Sequence, residues 1–301
     1  MNIIDIRANL SPTLIDEVCI SLRNNFGIEC HHVDASAMSA FTSLSVAAEI
    51  KKTNADAIIC HRRKDLVGAI DALKLARRND LNTKVIYAPQ TEDALAEKLT
   101  KTTLNAVDII VVPTPEDLSR KNFDGSKTTL IEPTAIVNPL TSPAHVSDTD
   151  TINITWLGPI VEHERLQNLI NVTPSGFAIH VYGSGSARYI MPLIKGARHM
   201  DNLQITWHGD EYSDPDAIAN SHLAVATTRI PSANDIRLRA CSIPVLDATN
   251  TENLAQTLAK IAAEPQLLQS LSNDAKAEYD TRFSLCFHVE QWNNLLTAIC
   301  K

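Results

Sequence analysis

The 301 residues contain no apolar run approaching the roughly 18 residues that a membrane-spanning helix requires. The opening stretch, MNIIDIRANLSPT, has neither a basic segment nor a long apolar core. A secretory signal is therefore not expected there, and the cytoplasm is the default address. Basic residues are outnumbered, 27 against 35 acidic, leaving a net charge of −8. That balance argues against a general nucleic-acid binder, which needs a surplus of Lys and Arg to displace counterions from phosphates. Six cysteines (Cys19, Cys30, Cys60, Cys241, Cys286 and Cys300) include no CxxC pair, so they read as reduced and mostly buried small hydrophobes. Metal-ligand spacing is missing too: the adjacent His31 and His32 fall on one strand and point to opposite faces. There is no GxSxG, no nucleophilic Cys/His motif, no internal repeat and no low-complexity tract.

What is present is the composition of an ordered protein, 44% hydrophobic and 21% charged. Its length suits two cores of roughly 140 residues each. Short Ile- and Val-rich runs at 2–6, 28–33, 56–61, 83–88 and 107–112 read as buried parallel strands. Helical segments are expected between them at 13–25, 36–52, 64–79 and 91–105, the third carrying Leu66, Ile70, Leu73 and Ala76 on one stripe. The segment 133–150, with Pro133, Pro139 and Pro143, breaks the pattern and reads as an interdomain linker. Alternation then resumes, with strands at 152–157, 177–182, 203–207, 222–227 and 243–246. Helices are expected at 162–171, 186–197, 214–220, 233–241, 250–263, 265–280 and 284–299. The fold class is α/β: two doubly wound Rossmann-like domains, 1–138 and 151–283, with a helix at 284–301 returning to the first. Ligands in such folds bind at the carboxyl ends of the strands, and two facing sheets create a cleft.

In the second half several short motifs fall in a telling order. They are Trp156-Leu157-Gly158 ending a strand, His180-Val181-Tyr182-Gly183-Ser184-Gly185, and Ile205-Thr206-Trp207-His208-Gly209. His222 to Thr227, Ala240-Cys241-Ser242-Ile243-Pro244-Val245-Leu246, and Arg282-Phe283-Ser284 with Val289 and Trp292 follow. This succession resembles the retaining, nucleotide-sugar-dependent glycosyltransferases of GT-B fold, strongly from 152 to 299 and weakly before 130. The resemblance implies an enzyme that transfers a sugar from a nucleotide-sugar donor to a glycan, lipid-linked or protein acceptor in the interdomain cleft. It implies no cofactor and no metal, the nucleotide-sugar being substrate.

The residues that grip the donor depart from the family's pattern. The family places an Arg directly after the first glycine and a Lys five residues later, where this chain has Pro159 and Glu164. Proline donates nothing, and glutamate repels a diphosphate; two lost charge-assisted hydrogen bonds cost about 10²–10⁴ in affinity or rate. Arg165 stands beside Glu164 and compensates if the loop is shifted by one residue. The family's two glutamates, eight positions apart, correspond to Arg229 and Arg237, which cannot accept hydrogen bonds. Asp235 is the nearby carboxylate, and Pro231-Ser232-Ala233-Asn234 replaces a glycine-rich stretch.

Candidate donor-binding residues are thus Gly158, Arg165, Gly183, Ser184, Gly185, Ser186, Arg188, Arg229, Arg237 and Arg239, with Asp235 as a candidate catalytic carboxylate. The glycine turn is either an anion site or a turn packed closely on a strand, and the arginines are either a phosphate cluster or surface residues paired with Asp235. On the acceptor side stand Asn9, Arg62 and Arg63, with Asn9 and Ser11 also fitting turn and N-cap positions. His61, at a strand's carboxyl end, is either an acid–base group or a hydrogen-bonded structural histidine. The basic stretch 51–78 suits an acidic acceptor or an anionic membrane surface, or simply a solvated helix face. Residues 35–48 carry no charge and form either a buried helix or a partner-binding surface. A second function reading follows from the replaced residues: a catalytically silent GT-B relative, serving as a binding or accessory subunit of a glycosyltransferase complex or as a homo-oligomer.

Overall fold

A computed structural model describes the chain except residues 8–11, 35–39, 77–81, 138–150, 162–165, 198–202, 211–213, 227 and 301. It divides into two compact units, Met1–Pro133 with Leu285–Lys301, and Thr134–Ser284.

Unit 1 begins β1 (Asn2–Arg7), α1 (Pro12–Phe26), β2 (Glu29–Asp34), α2 (Ala40–Thr53), β3 (Ala57–Cys60) and α3 (Arg63–Ala76). It continues β4 (Lys84–Tyr87), α4 (Glu92–Ala96), α5 (Lys101–Asn105), β5 (Ile109–Val112) and β6 (Thr128–Leu130). The sheet has the order β2-β1-β3-β4-β5-β6 and all its pairings are parallel. β3 is buried along its whole length, as a strand covered on both faces must be. α3 buries Leu66, Ala69, Leu73 and Ala76 at helical spacing. The segment expected as one helix over 91–105 forms two. Thr91 caps the first by accepting from the Ala94 amide, and Thr100 caps the second through the Thr103 amide. A threonine hydroxyl that bonds an amide three residues on starts a helix rather than continuing one. In the uncharged stretch, α2 buries Val46 and Ala47, whereas Leu44 is exposed. Positions 35–39 lie outside the described residues.

Unit 2 runs β7 (Ile152–Leu157), α6 (Leu166–Val172), β8 (Phe177–Tyr182), α7 (Ala187–Ala197), β9 (Gln204–Gly209) and α8 (Asp214–Ala219). It ends with β10 (Leu223–Ala226), α9 (Ala233–Ala240), β11 (Val245–Asp247), α10 (Thr251–Ala263) and α11 (Leu267–Glu278). Its parallel sheet has the order β11-β10-β7-β8-β9. The core gathers Ile154, Trp156, Phe177, Ile179 and Val181 from the central strands with Leu166, Leu169, Leu193, Leu254 and Leu258 from the helices. The last helix, α12 (Leu285–Ile299), belongs to unit 1, where Val289, Trp292 and Leu296 join its core.

Both sheets contain one place where the chain reverses the direction in which it adds strands. In unit 1 it lies between β1 and β3, and in unit 2 between β7 and β10. Helices leave the sheet on opposite sides there, opening a crevice at the carboxyl ends of the two strands.

Candidate functional site

A pocket occupies this crevice in unit 2. It is lined by Trp156, Leu157, Gly158 and Pro159 from the end of β7, Val225 and Thr228 at β10, and Ser232, Asn234 and Asp235 at the start of α9. It spans about 420 Å³, counting the space at its open mouth. Two candidates from the sequence, Gly158 and Asp235, therefore meet here. Trp156 is buried at 1% exposure, and its indole Nε1 has no hydrogen-bond partner. Asn234 Nδ2 donates to the Leu157 carbonyl at 3.4 Å, tying α9 to the end of β7.

Asp235 owes its position to helix capping. Ser232 Oγ accepts from the Asp235 amide at 3.2 Å, and the Asp235 carboxylate accepts from the Ser232 amide at 2.8 Å. This reciprocal pair starts α9, and the carboxylate also favours the positive end of the helix dipole.

The glycine turn after β8 packs closely on backbone. Gly158 N donates to Tyr182 O at 3.0 Å, Ile160 N to Ser184 O at 2.7 Å, and Gly183 N to Gly209 O at 2.8 Å. Ile160 and Gly185 form a parallel bridge. A Cβ on Gly183 would lie 1.9 Å from Gly158 O, and one on Gly185 would lie 1.9 Å from Ile160 O. Gly183 also has φ +144°, a region that side chains rarely adopt. These glycines let the segment after β7 extend the sheet alongside the segment after β8. Ser184, Gly185 and Ser186 remain exposed at the surface of the turn.

The arginines are dispersed. Arg188 is exposed at the first turn of α7, and Arg229 is exposed after β10. Arg237 Nε donates to Ile136 O at 3.1 Å, and its Nη1 lies 3.4 Å from Asn234 Oδ1. Arg239 pairs with Glu278 at 2.9 Å and lies over the Phe283 ring, 5.7 Å from its centroid. None of these four lines the pocket. Glu164 and Arg165 lie outside the described residues.

At the reversal point of unit 1, Asp5 and His61 are buried and Arg7 lies half-buried beside them. His61 Nε2 donates to Asp5 Oδ1 at 2.9 Å and its Nδ1 donates to Ala88 O at 2.8 Å. Arg7 pairs with the other Asp5 oxygen. Burial pushes the Asp5 carboxyl up, but His61 and Arg7 outweigh it and hold it below the usual carboxylate range. Both nitrogens of His61 are thereby engaged. Arg62 forms a two-point pair with buried Asp65, through Nε and Nη2 at 2.7 Å each. The Arg63 side chain is exposed, and its backbone amide donates to Glu97 at 3.0 Å. Asn9 lies outside the described residues.

Deeper in unit 1, His288 Nδ1 donates to Glu132 O at 2.8 Å, and its Nε2 accepts from Trp292 Nε1 at 3.1 Å. Burial lowers its pKa to about 4, and nearby Arg7 adds to that effect against the Glu132 hydrogen bond.

Asp5 has no role in the sequence reading, and Trp156 enters it only within the Trp156-Leu157-Gly158 strand motif. A lone carboxylate inside an apolar strand was the available signal for the first. The second was concealed, because an aromatic residue two positions before a strand-ending glycine reads as core. Among the described residues no group of three or more His, Cys, Asp or Glu is placed to hold a metal ion. Nor is any described helix long and apolar enough to cross a membrane.

No family model matches the chain, and no curated protein matches it. Solved structures do. A lipopolysaccharide outer core galactosyltransferase, WaaB in its apo form, superposes with a TM-score of 0.71 at 11% identity, covering 99% of each chain. WaaG, a glycosyltransferase involved in lipopolysaccharide biosynthesis, gives 0.60 at 10% identity, covering 99% of this chain and 100% of its own. A putative UDP-N-acetylglucosamine 2-epimerase from Listeria monocytogenes gives 0.59 at 11% identity, covering 99% and 96%. At such identities the likeness establishes fold: two parallel-sheet α/β units in the GT-B arrangement of chain and topology.

Proposed function

We propose that this chain is a glycosyltransferase-like protein that transfers a sugar, with retention, from a nucleotide-sugar donor to a glycan, lipid-linked or protein acceptor. The observation that carries the reading is the pocket at the β7–β10 reversal point of unit 2, in a chain of GT-B fold. Gly158, Asn234 and Asp235 supply its polar lining, and the exposed Arg188 and Arg229 are the cations assigned to the diphosphate. Arg165, between β7 and α6 in the sequence, is a third. The acceptor is assigned to unit 1, with Asn9, Arg62 and Arg63 as its candidate residues. A cytoplasmic setting and peripheral contact with an anionic membrane belong to the same proposal.

A second reading is favoured by one specific observation. Asp235 is engaged in the α9 cap, and Arg239 in its pair with Glu278. Side chains committed to internal bonds serve stability rather than transfer, as they would in a silent accessory subunit. Titration with UDP, GDP and UDP-glucose separates the two readings. Saturable binding weakened ten- to a hundredfold by Arg229→Ala supports the transferase, since one charge-assisted hydrogen bond accounts for about that factor. Absence of binding together with a co-purifying companion protein supports the accessory subunit.

A further inference from the structure

All six cysteines are free thiols, and two of them meet. Cys19 lies on α1 and Cys30 on β2, the elements joined by the turn that follows Phe26. The helix points Val18 and Leu22 into the core of unit 1, and Cys30 packs against that same core. Helix and edge strand thus face each other here, and the Cys30 thiol donates a hydrogen bond to the Cys19 sulfur. Both residues are half-buried, so a small oxidant reaches them from solvent.

The other four thiols are placed differently. Cys60 and Cys241 are buried, at 0% and 8% exposure. Cys300 donates to the Asp56 carbonyl at 3.7 Å, and the exposed Cys286 donates to Glu290 at 3.8 Å.

The nucleophile in thiol oxidation is the thiolate rather than the thiol. The hydrogen bond from Cys30 holds the Cys19 thiol below the usual thiol range, against burial and the nearby Asp5 and Asp16 carboxylates. The Arg7 guanidinium adds to that lowering. The same hydrogen bond, together with burial, pushes the Cys30 thiol up. Burial raises Cys60, Cys241 and Cys300 as well. Cys19 is therefore the attacking sulfur, and Cys30 stands beside it to resolve the product.

We propose that Cys19 and Cys30 form an oxidative modification site, at which hydrogen peroxide converts the pair to a disulfide tying α1 to β2. The Cys19 sulfur attacks one peroxide oxygen: an S–O bond forms, the O–O bond breaks, and the departing oxygen leaves as water. The Cys30 sulfur then attacks the Cys19 sulfenic acid, forming the S–S bond and releasing the second water. The two thiols lose two electrons and two protons, and the peroxide is reduced to water. A dithiol reductant restores both thiols by exchange. The site lies wholly in unit 1, so it stands whether or not the chain transfers a sugar.

The full chain is treated with stoichiometric hydrogen peroxide, its remaining thiols are alkylated, and its peptides are mapped by mass spectrometry without reduction. Free thiols are expected to fall from six to about four, with the Cys19 peptide joined to the Cys30 peptide and released by dithiothreitol. In Cys30→Ser the Cys19 sulfenic acid is expected to persist and to be captured by dimedone. In Cys19→Ser, Cys30 is expected to remain a thiol. Mapping of the parent chain decides the matter even where a serine variant folds poorly. Oxidation that falls on Cys286 while the pair stays reduced would overturn the proposal. So would Cys19 sulfinic acid beside a free Cys30, a link from either residue to another cysteine, or a chain inert to peroxide at every thiol.

Discussion

His61, just past the end of β3, reaches the Asp5 carboxylate on β1 at 2.9 Å, so two neighbouring strands are joined by a buried side-chain hydrogen bond. Removing His61 leaves the Asp5 carboxylate buried with fewer compensating groups. His61→Ala is expected to cost about 3 kcal/mol in denaturant unfolding. The pH dependence carries a second signature. Asp5 is held below its ordinary value in the folded chain, so it contributes stability at pH above 3.8 that is lost as pH falls through the lower folded value. Without His61 that folded value rises, and acid unfolding of the variant should begin at higher pH than in the parent. Unchanged acid unfolding would dissociate His61 from Asp5.

His288 acts in the opposite protonation sense. Its folded value is about 4 against 6.5 for a free histidine, so both states are neutral above pH 6.5. Below that the unfolded chain takes up a proton that the folded chain refuses until about pH 4. Stability should therefore fall across that window by something on the order of 3 kcal/mol. Chemical unfolding of the parent and of His288→Gln, followed from pH 7 to pH 4, checks this: the variant should show a visibly shallower loss.

Gly183 and Gly185 face backbone oxygens at 1.9 Å from the place a Cβ would occupy. Those oxygens belong to the segment after β7, which cannot withdraw without breaking its pairing to the turn. Gly183→Ala and Gly185→Ala should each destabilise by about 2–3 kcal/mol. The same substitution at Gly196, where a Cβ meets nothing within 4 Å and the backbone is helical, should be neutral or slightly stabilising. Equal effects at the turn and at Gly196 would remove the close-packing explanation.

Much of the fold was legible because buried parallel strands leave a compositional trace. The runs at 2–6, 152–157 and 177–182 fall on β1, β7 and β8 within a residue. β6 was missed, since Thr128–Leu130 is three residues long, half-buried and without an apolar run. The α4–α5 division depends on a single threonine hydroxyl, which composition does not weigh. The site was less readable. Gly158 and Asp235 were found because they sit at strand and helix ends, and these meet at a reversal point once the strand order is known. The dispersal of Arg237 and Arg239 reflects partners distant in sequence, Ile136 and Glu278.

The most direct measurement is calorimetric titration of the full chain with UDP-glucose, UDP and GDP. Saturable binding in the micromolar to millimolar range, weakened by Arg229→Ala, is the predicted result. No heat of binding from any of the three up to millimolar concentration would contradict the nucleotide-sugar assignment.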